Sequence, residues 1–260
     1  MKKSKNIIIA LIAIVLFACS SKKENDPSPN TGETPTGMLY MHLHNYLDIT
    51  EVDDYNIVYT TNAGRKISLT TGQFYISDIK LVKLDGSIYA IPNKTILKIQ
   101  TNQVYQLGLV PVGNYKSIQF KVGLSSTQNS HTPSNSVSDI FNQPAMWFSS
   151  SAQPDGYVFL NFEGKIDTTT AANDLEANMQ FFQYHIGTNN NYKQVVMPDK
   201  NFTVVKDQSE YLHLYADYVK LFNGIQLNNH NNLIMASPSD NATVLGIQLR
   251  NNIPSMFSYE

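Results

Sequence analysis

The sequence predicts an all-β fold: a Greek-key β-sandwich, built as a single domain with short helical turns. Three observations predict it. Short runs of alternating apolar and polar residues recur at regular spacing from residue 38 onward, and a period of two marks a half-buried strand. Turn formers separate the runs, as at Asn62-Ala63-Gly64, Asp85-Gly86 and Val112-Gly113-Asn114. Tyrosine (15) and phenylalanine (12) are abundant, and aromatic residues favour strands. About 220 residues follow the N-terminal segment, enough for one such domain.

The elements follow in order. Residues 39–46, L-Y-M-H-L-H-N-Y, alternate strictly and open the domain as a strand. Residues 55–60 and 66–69 form a hairpin around Asn62-Ala63-Gly64. Residues 74–84 make a strand with one slip in the alternation near Ser77-Asp78, and Asp85-Gly86 turns it into residues 87–91. Strands follow at 95–100, 104–109 and 115–124, the last strongly alternating. Residues 125–144 are polar, carry His131 and two prolines, and read as a long loop; long loops within compact domains are often functional. Residues 157–162 form an apolar core strand, and 168–178 carry a short helical turn. Strands at 179–186, 202–205 and 211–215 precede a helical turn at 217–222, and 246–252 with 256–259 close the chain.

The N-terminus reads differently. Lysines at 2, 3 and 5 precede an apolar run that ends Leu16-Phe17-Ala18-Cys19. A cationic start and a short apolar run make a secretory leader, too short to span a bilayer comfortably. The small residue before a lone cysteine matches a bacterial lipobox, so residues 1–18 are assigned as a lipoprotein signal peptide and Cys19 as the lipidation site. Several acyl chains on one residue anchor stably. Residues 19–37 lack the apolar residues needed to bury a core and read as a lipidated, flexible tether. The domain then spans 38–260. Ser20, rather than Asp, follows the cysteine, which points to the outer membrane, facing either the periplasm or the cell surface.

Nineteen basic and 21 acidic residues leave a formal charge of −2. There is no basic stripe to bind nucleic acid and no acidic block to store cations. No G-x-S-x-G, H-E-x-x-H or glycine-rich phosphate loop is present, so an enzyme is not expected.

The chemistry gathers on histidines. In a strand at 39–46, His42 and His44 share a face roughly 7 Å apart at Cα. Two such imidazoles can ligate one copper or zinc ion, although an H-x-H pair is also an ordinary polar strand face. His185, in Y-H-I-G, is either a ligand or a core histidine at a strand end. Met146 and Met41 carry thioethers suited to Cu(I), but Met41 alternates away from the histidines. His213 lies in an alternating strand, Y-L-H-L-Y, whose face the sequence leaves open. His131 and His230 lie in polar surroundings.

Several stretches carry a resemblance when taken together and in order. They are residues 74–81 (F-Y-I-S-D-I-K-L), 113–115 (G-N-Y), 120–124 (F-K-V-G-L) and 145–148 (A-M-W-F). They continue with 156–164 (G-Y-V-F-L-N-F-E-G), 184–187 (Y-H-I-G), 217–222 (D-Y-V-K-L-F) and 251–257 (N-N-I-P-S-M-F). The chain resembles the MbnP family of secreted copper-binding proteins from about Tyr40 to Glu260. The resemblance implies a β-sandwich holding one copper ion through histidines, with those of the first strand as typical ligands, here His42 and His44. It also implies a kynurenine ligand made from tryptophan by a dihaem partner of the MbnH type, for which Trp147 is the candidate. This chain departs from the usual M-F-W order, lacks a second tryptophan and carries a longer segment at 149–155. The alternative is an H-x-H site that holds copper without kynurenine. A reading from another class is a metal-free surface lipoprotein that recognises a glycan or a protein through exposed aromatics near Trp147-Phe148 or Tyr192.

Overall fold

The computed structural model describes residues 34–52, 54–99, 103–136, 138–148, 156–171 and 176–260. The leader, Cys19, most of the tether and the 149–155 segment lie outside the described residues. Fifteen strands are present among those described: β1 (Thr36–Leu47), β2 (Thr50–Glu51), β3 (Tyr59–Thr60), β4 (Lys66–Lys83), β5 (Ile88–Ala90), β6 (Ile96–Lys98), β7 (Gln103–Pro111), β8 (Gly113–Val122), β9 (Val158–Asp167), β10 (Met179–Gly187), β11 (Lys193–Val196), β12 (Phe202–Val204), β13 (Ser209–Asp217), β14 (Ile234–Met235) and β15 (Phe257–Tyr259). Two short α-helices, α1 (Ser126–Asn129) and α2 (Val244–Asn252), and several 3-10 turns join them. No helix among the described residues is long and apolar enough to cross a membrane.

The strands form two sheets. The smaller runs β15-β13-β1-β2, with β7 also paired to β1. The larger runs β11-β8-β4-β9-β10-β14, with β12 on β8 and with β3, β5 and β6 on β4. Most pairings are antiparallel, but β1 with β13 and β10 with β14 are parallel. The turn at 112–114 changes sheet, because β7 pairs with β1 while β8 pairs with β4.

The alternation of β1 explains the sandwich. Leu39, Met41 and Leu43 are fully buried and pack in one core with Phe74, Ile76 and Phe120 of the larger sheet. Each buried side chain of this size stabilises by about 1.5–3 kcal/mol. The predicted hairpin is present, with Thr61 and Arg65 bonded across residues 62–64. The runs at 66–69 and 74–84 are one 18-residue strand. The slip foreseen near Ser77-Asp78 is a register shift between Ser77 and Lys80 against β8, with Asp78 at φ 50°. Such a bulge lets one strand bend without losing its partners.

The larger sheet is covered on both faces. Phe74 joins the main core, while its neighbour Tyr75 joins a second cluster with Leu97, Leu124, Met146, Tyr157 and Phe159. Successive strand residues face opposite ways, so this cluster sits on the outer face, beneath the segment that follows β8. That segment is more ordered than a loop. Ser125 and Gln128 close a capping box on α1, and Tyr75 Oη donates to the Ile140 carbonyl at 2.9 Å. Gly123, at φ 111°, lets the chain pass; a Cβ there would meet the Phe159 ring at 2.4 Å.

Candidate metal centre

The outward positions of β1 are Tyr40, His42, His44 and Tyr46, each partly buried. Parallel pairing brings β13 alongside in strict register: Tyr40 opposite Tyr211, His42 opposite His213, His44 opposite Tyr215. Register partners share a face, so three histidines converge between two pairs of tyrosines. Tyr40 stacks on Tyr211 at 4.8 Å and Tyr46 packs on Tyr215 at 4.8 Å. The imidazole centroids lie 4.0 Å apart for His42–His44, 5.1 Å for His42–His213 and 6.3 Å for His44–His213. One ring nitrogen from each lies within 4.8 Å of the others.

Two carboxylates border the cluster, each delivered by a short strand. In β2, Glu51 lies opposite Tyr46, and its Oε1 is 2.5 Å from Nδ1 of His44. A carboxylate oxygen accepts, so Nδ1 donates, which in a neutral imidazole leaves the lone pair on Nε2. That Nε2 is buried and has no hydrogen-bond partner. A buried polar atom left unbonded is costly, and two further imidazoles lie beside this one. On the other side, β15 pairs with β13, and the Glu260 N–H donates to the His213 carbonyl at 3.1 Å. Glu260 Oε2 is then 3.3 Å from His213 Nδ1 and 3.7 Å from His44 Nε2. Burial holds the His42 imidazolium below its ordinary range, and the neighbouring His44 and His213 push the same way, against Glu260 and Glu51. Neutral imidazole is the ligating form. The donor set, three imidazoles beside carboxylates, suits copper or zinc.

The structure does not bring His185 or Trp147 to this cluster. His185 is on β10, opposite Asn161 of β9, where its Nε2 meets Glu163 Oε1 at 2.7 Å. That bond is the main reason the Glu163 carboxyl lies below the usual carboxylate range. Trp147 caps the 3-10 turn Pro144–Met146 and bridges to Tyr157. Its Nε1 donates to the Phe141 carbonyl at 3.1 Å, and the ring packs on the second cluster. Trp147 therefore lies over the outer face of the larger sheet, whereas His42 and His44 lie on the outer face of the smaller one. Met146 is fully buried in the second cluster, and Met41 in the core between the sheets. Trp147→Phe is expected to leave metal binding unchanged while costing about 1 kcal/mol of stability for the lost indole hydrogen bond, read by metal titration and urea unfolding of the same variant.

His213 completes the triad. The sequence shows that it alternates with Leu212 and Leu214 but leaves its face open, and a parallel partner about 170 residues away leaves no local sign. Glu260 is equally hidden, since it arrives through β13, whereas Glu51 reaches His44 through the short β1–β2 pairing with no motif to mark it.

The profile of the MbnP family matches residues 36–236, a span that holds all three histidines. No match was found among curated proteins. Among solved structures, MbnP from Methylosinus trichosporium matches with a TM-score of 0.45 and 16% identity, covering 72% of this chain and 78% of that one. With the family profile spanning well over half of its length, the chain belongs to the MbnP family.

Proposed function

We propose that this chain binds one copper ion through His42, His44 and His213 and serves copper acquisition or handling. The observation that carries the reading is the buried, unbonded Nε2 of His44 within a cluster of three imidazoles on the register partners β1 and β13. Membership of the MbnP family and the absence of a nucleophile–base set in the sequence support binding rather than catalysis. The lipobox ending at Cys19 supports a chain tethered by lipid to the outer membrane, with the domain in the periplasm or at the cell surface. With Trp147 on the far side of the sandwich, the proposed centre needs no kynurenine.

The test is copper content. Full-length protein isolated from its host, or loaded after purification, is expected to carry one copper per chain. No copper after loading would overturn the proposal. Binding is also expected to depend on pH. Copper competes with protons for neutral imidazoles, so affinity should hold near pH 7 and fall as pH drops through about 6. Titrations at pH 5, 6 and 7 would check the direction; a constant affinity would argue against histidine ligands.

A further inference from the structure

We propose that Glu260 is a fourth ligand at the histidine cluster, making it a three-imidazole, one-carboxylate centre built for a divalent borderline cation, Cu(II) or Zn(II), in preference to Cu(I). This rests on the reading above that the three histidines hold the ion.

Geometry is the first argument. One oxygen, Oε2, stands 3.3 Å from His213 Nδ1 and 3.7 Å from His44 Nε2. The second separation is too long for a hydrogen bond, and Nε2 has no other partner. Four donors held tetrahedrally at about 2.0 Å from an ion are roughly 3.3 Å apart. The two spacings to Oε2 are close to that edge. The nitrogens, within 4.8 Å of one another, need close in by only about 1.5 Å, within reach of imidazole rotation.

Charge and softness agree. Three neutral imidazoles and a carboxylate place one negative charge on the ion, and Glu51 adds another behind His44. Carboxylate oxygen suits divalent ions, whereas Cu(I) is selected by thioether or thiolate sulfur. Among the described residues, sulfur is missing from this cluster's immediate neighbours: Met41 points into the core, and Met38, two outward positions from His42, accepts from Gln106 Nε2 at 3.3 Å.

The carboxylate is also held in place. The Glu260 backbone continues the pairing of β15 with β13, and its carbonyl accepts from Lys200 Nζ at 2.7 Å. Lys200 in turn lies over the Tyr259 ring at 5.2 Å. Glu260 lies outside residues 36–236, the span matched by the family profile, so this donor is argued for this chain alone.

The test compares the full-length chain with Glu260→Gln, which keeps the shape and removes the charge. Apo protein is titrated with Zn(II) and Cu(II) against chelators of known affinity, and with Cu(I) anaerobically; Cu(II) coordination is followed by electron paramagnetic resonance. The variant is expected to lose about 10–100-fold in affinity for both divalent ions, the range for losing a supporting carboxylate or more. Its Cu(I) affinity should not move, its Cu(II) spectrum should change, and its melting curve should match the parent. Unchanged divalent affinity, or an equal loss for all three ions, would overturn the inference while leaving the histidine centre intact. A parent chain that binds none of the three ions would overturn both.

Discussion

Copper bound per chain is expected to fall from one to none when His42 and His44 are both replaced by alanine. Only His213 and the bordering carboxylates would then remain, and the buried, unbonded Nε2 of His44 would be gone. Losing an outer partner of a ligand already costs about 10–100-fold in affinity, so losing two of three imidazoles should cost far more. The variant should fold, because the inward residues Leu39, Met41 and Leu43 are untouched. Outward substitutions of this kind usually move stability by about 0.5 kcal/mol each. Two single variants sharpen the result. His213→Ala should weaken binding severely, and His185→Ala should not, since His185 is engaged with Glu163 in the larger sheet. Undiminished copper binding by the double variant would exclude this cluster as the centre.

Lys98→Met is expected to stabilise the fold by about 3 kcal/mol at pH 6. Lys98 lies on β6, opposite Phe74 of β4, and is fully buried. Its Nζ donates to the Ile99 carbonyl at 2.8 Å. Burial pulls its ammonium down to about 7 from 10.5. At 1.36 kcal/mol for each tenfold change in proton affinity, that corresponds to as much as about 5 kcal/mol of destabilisation while the group is charged. The bond to Ile99 is lost in the variant and offsets part of the gain, and replacing buried charges by packed apolar groups typically stabilises by about 1–4 kcal/mol. The sign with pH follows from proton counting. Below about 7 both folded and unfolded chains hold the proton, and the cost is complete. Between about 7 and 10.5 the unfolded chain binds more protons than the folded one, so stability of the parent rises with pH. The advantage of Met should therefore shrink steadily toward pH 10. Urea unfolding at pH 6, 8 and 10 measures it; a gap that does not narrow would mean that Lys98 keeps an ordinary proton affinity in the native state.

What was legible in the sequence was local. The two-residue period of residues 39–46 gave the inward and outward faces of β1, and with them the shared face of His42 and His44. The broken alternation at Ser77-Asp78 marked a bulge because a slip of one residue reverses every later side chain. The turns at 62–64 and 85–86 gave their hairpins. What escaped was pairing across distance. Nothing near His213 encodes that it stands opposite His42, since that depends on a parallel ladder whose strands share no turn. The grouping of Trp147 with the first-strand histidines rests on resemblance, which orders residues along the chain without giving their faces, and the Y-H-I-G setting of His185 leaves ligand and core roles alike open. Residues 70–73, T-T-G-Q, look like a break between strands, yet β4 runs through them because β9 pairs along this stretch. The helix α2 has almost no apolar stripe for a periodicity search to find. Its start is fixed by Thr243, whose hydroxyl accepts from the Gly246 N–H at 3.2 Å, and its Leu249 is buried in the core.

The ladder between β1 and β13 also sets an order of assembly. Contacts across it join residues about 170 positions apart, as between Asp48 and Asp217. Closing a loop of that length costs roughly 4–5 kcal/mol in chain entropy before any contact returns it, and such pairings form slowly. During synthesis His42 and His44 emerge long before His213, as a bare pair on an unpaired strand. The third imidazole and Glu260 arrive only when the two ends of the domain meet. A nascent or half-folded chain thus presents a weak, incomplete chelate, and tight capture of metal is reserved for the finished sandwich.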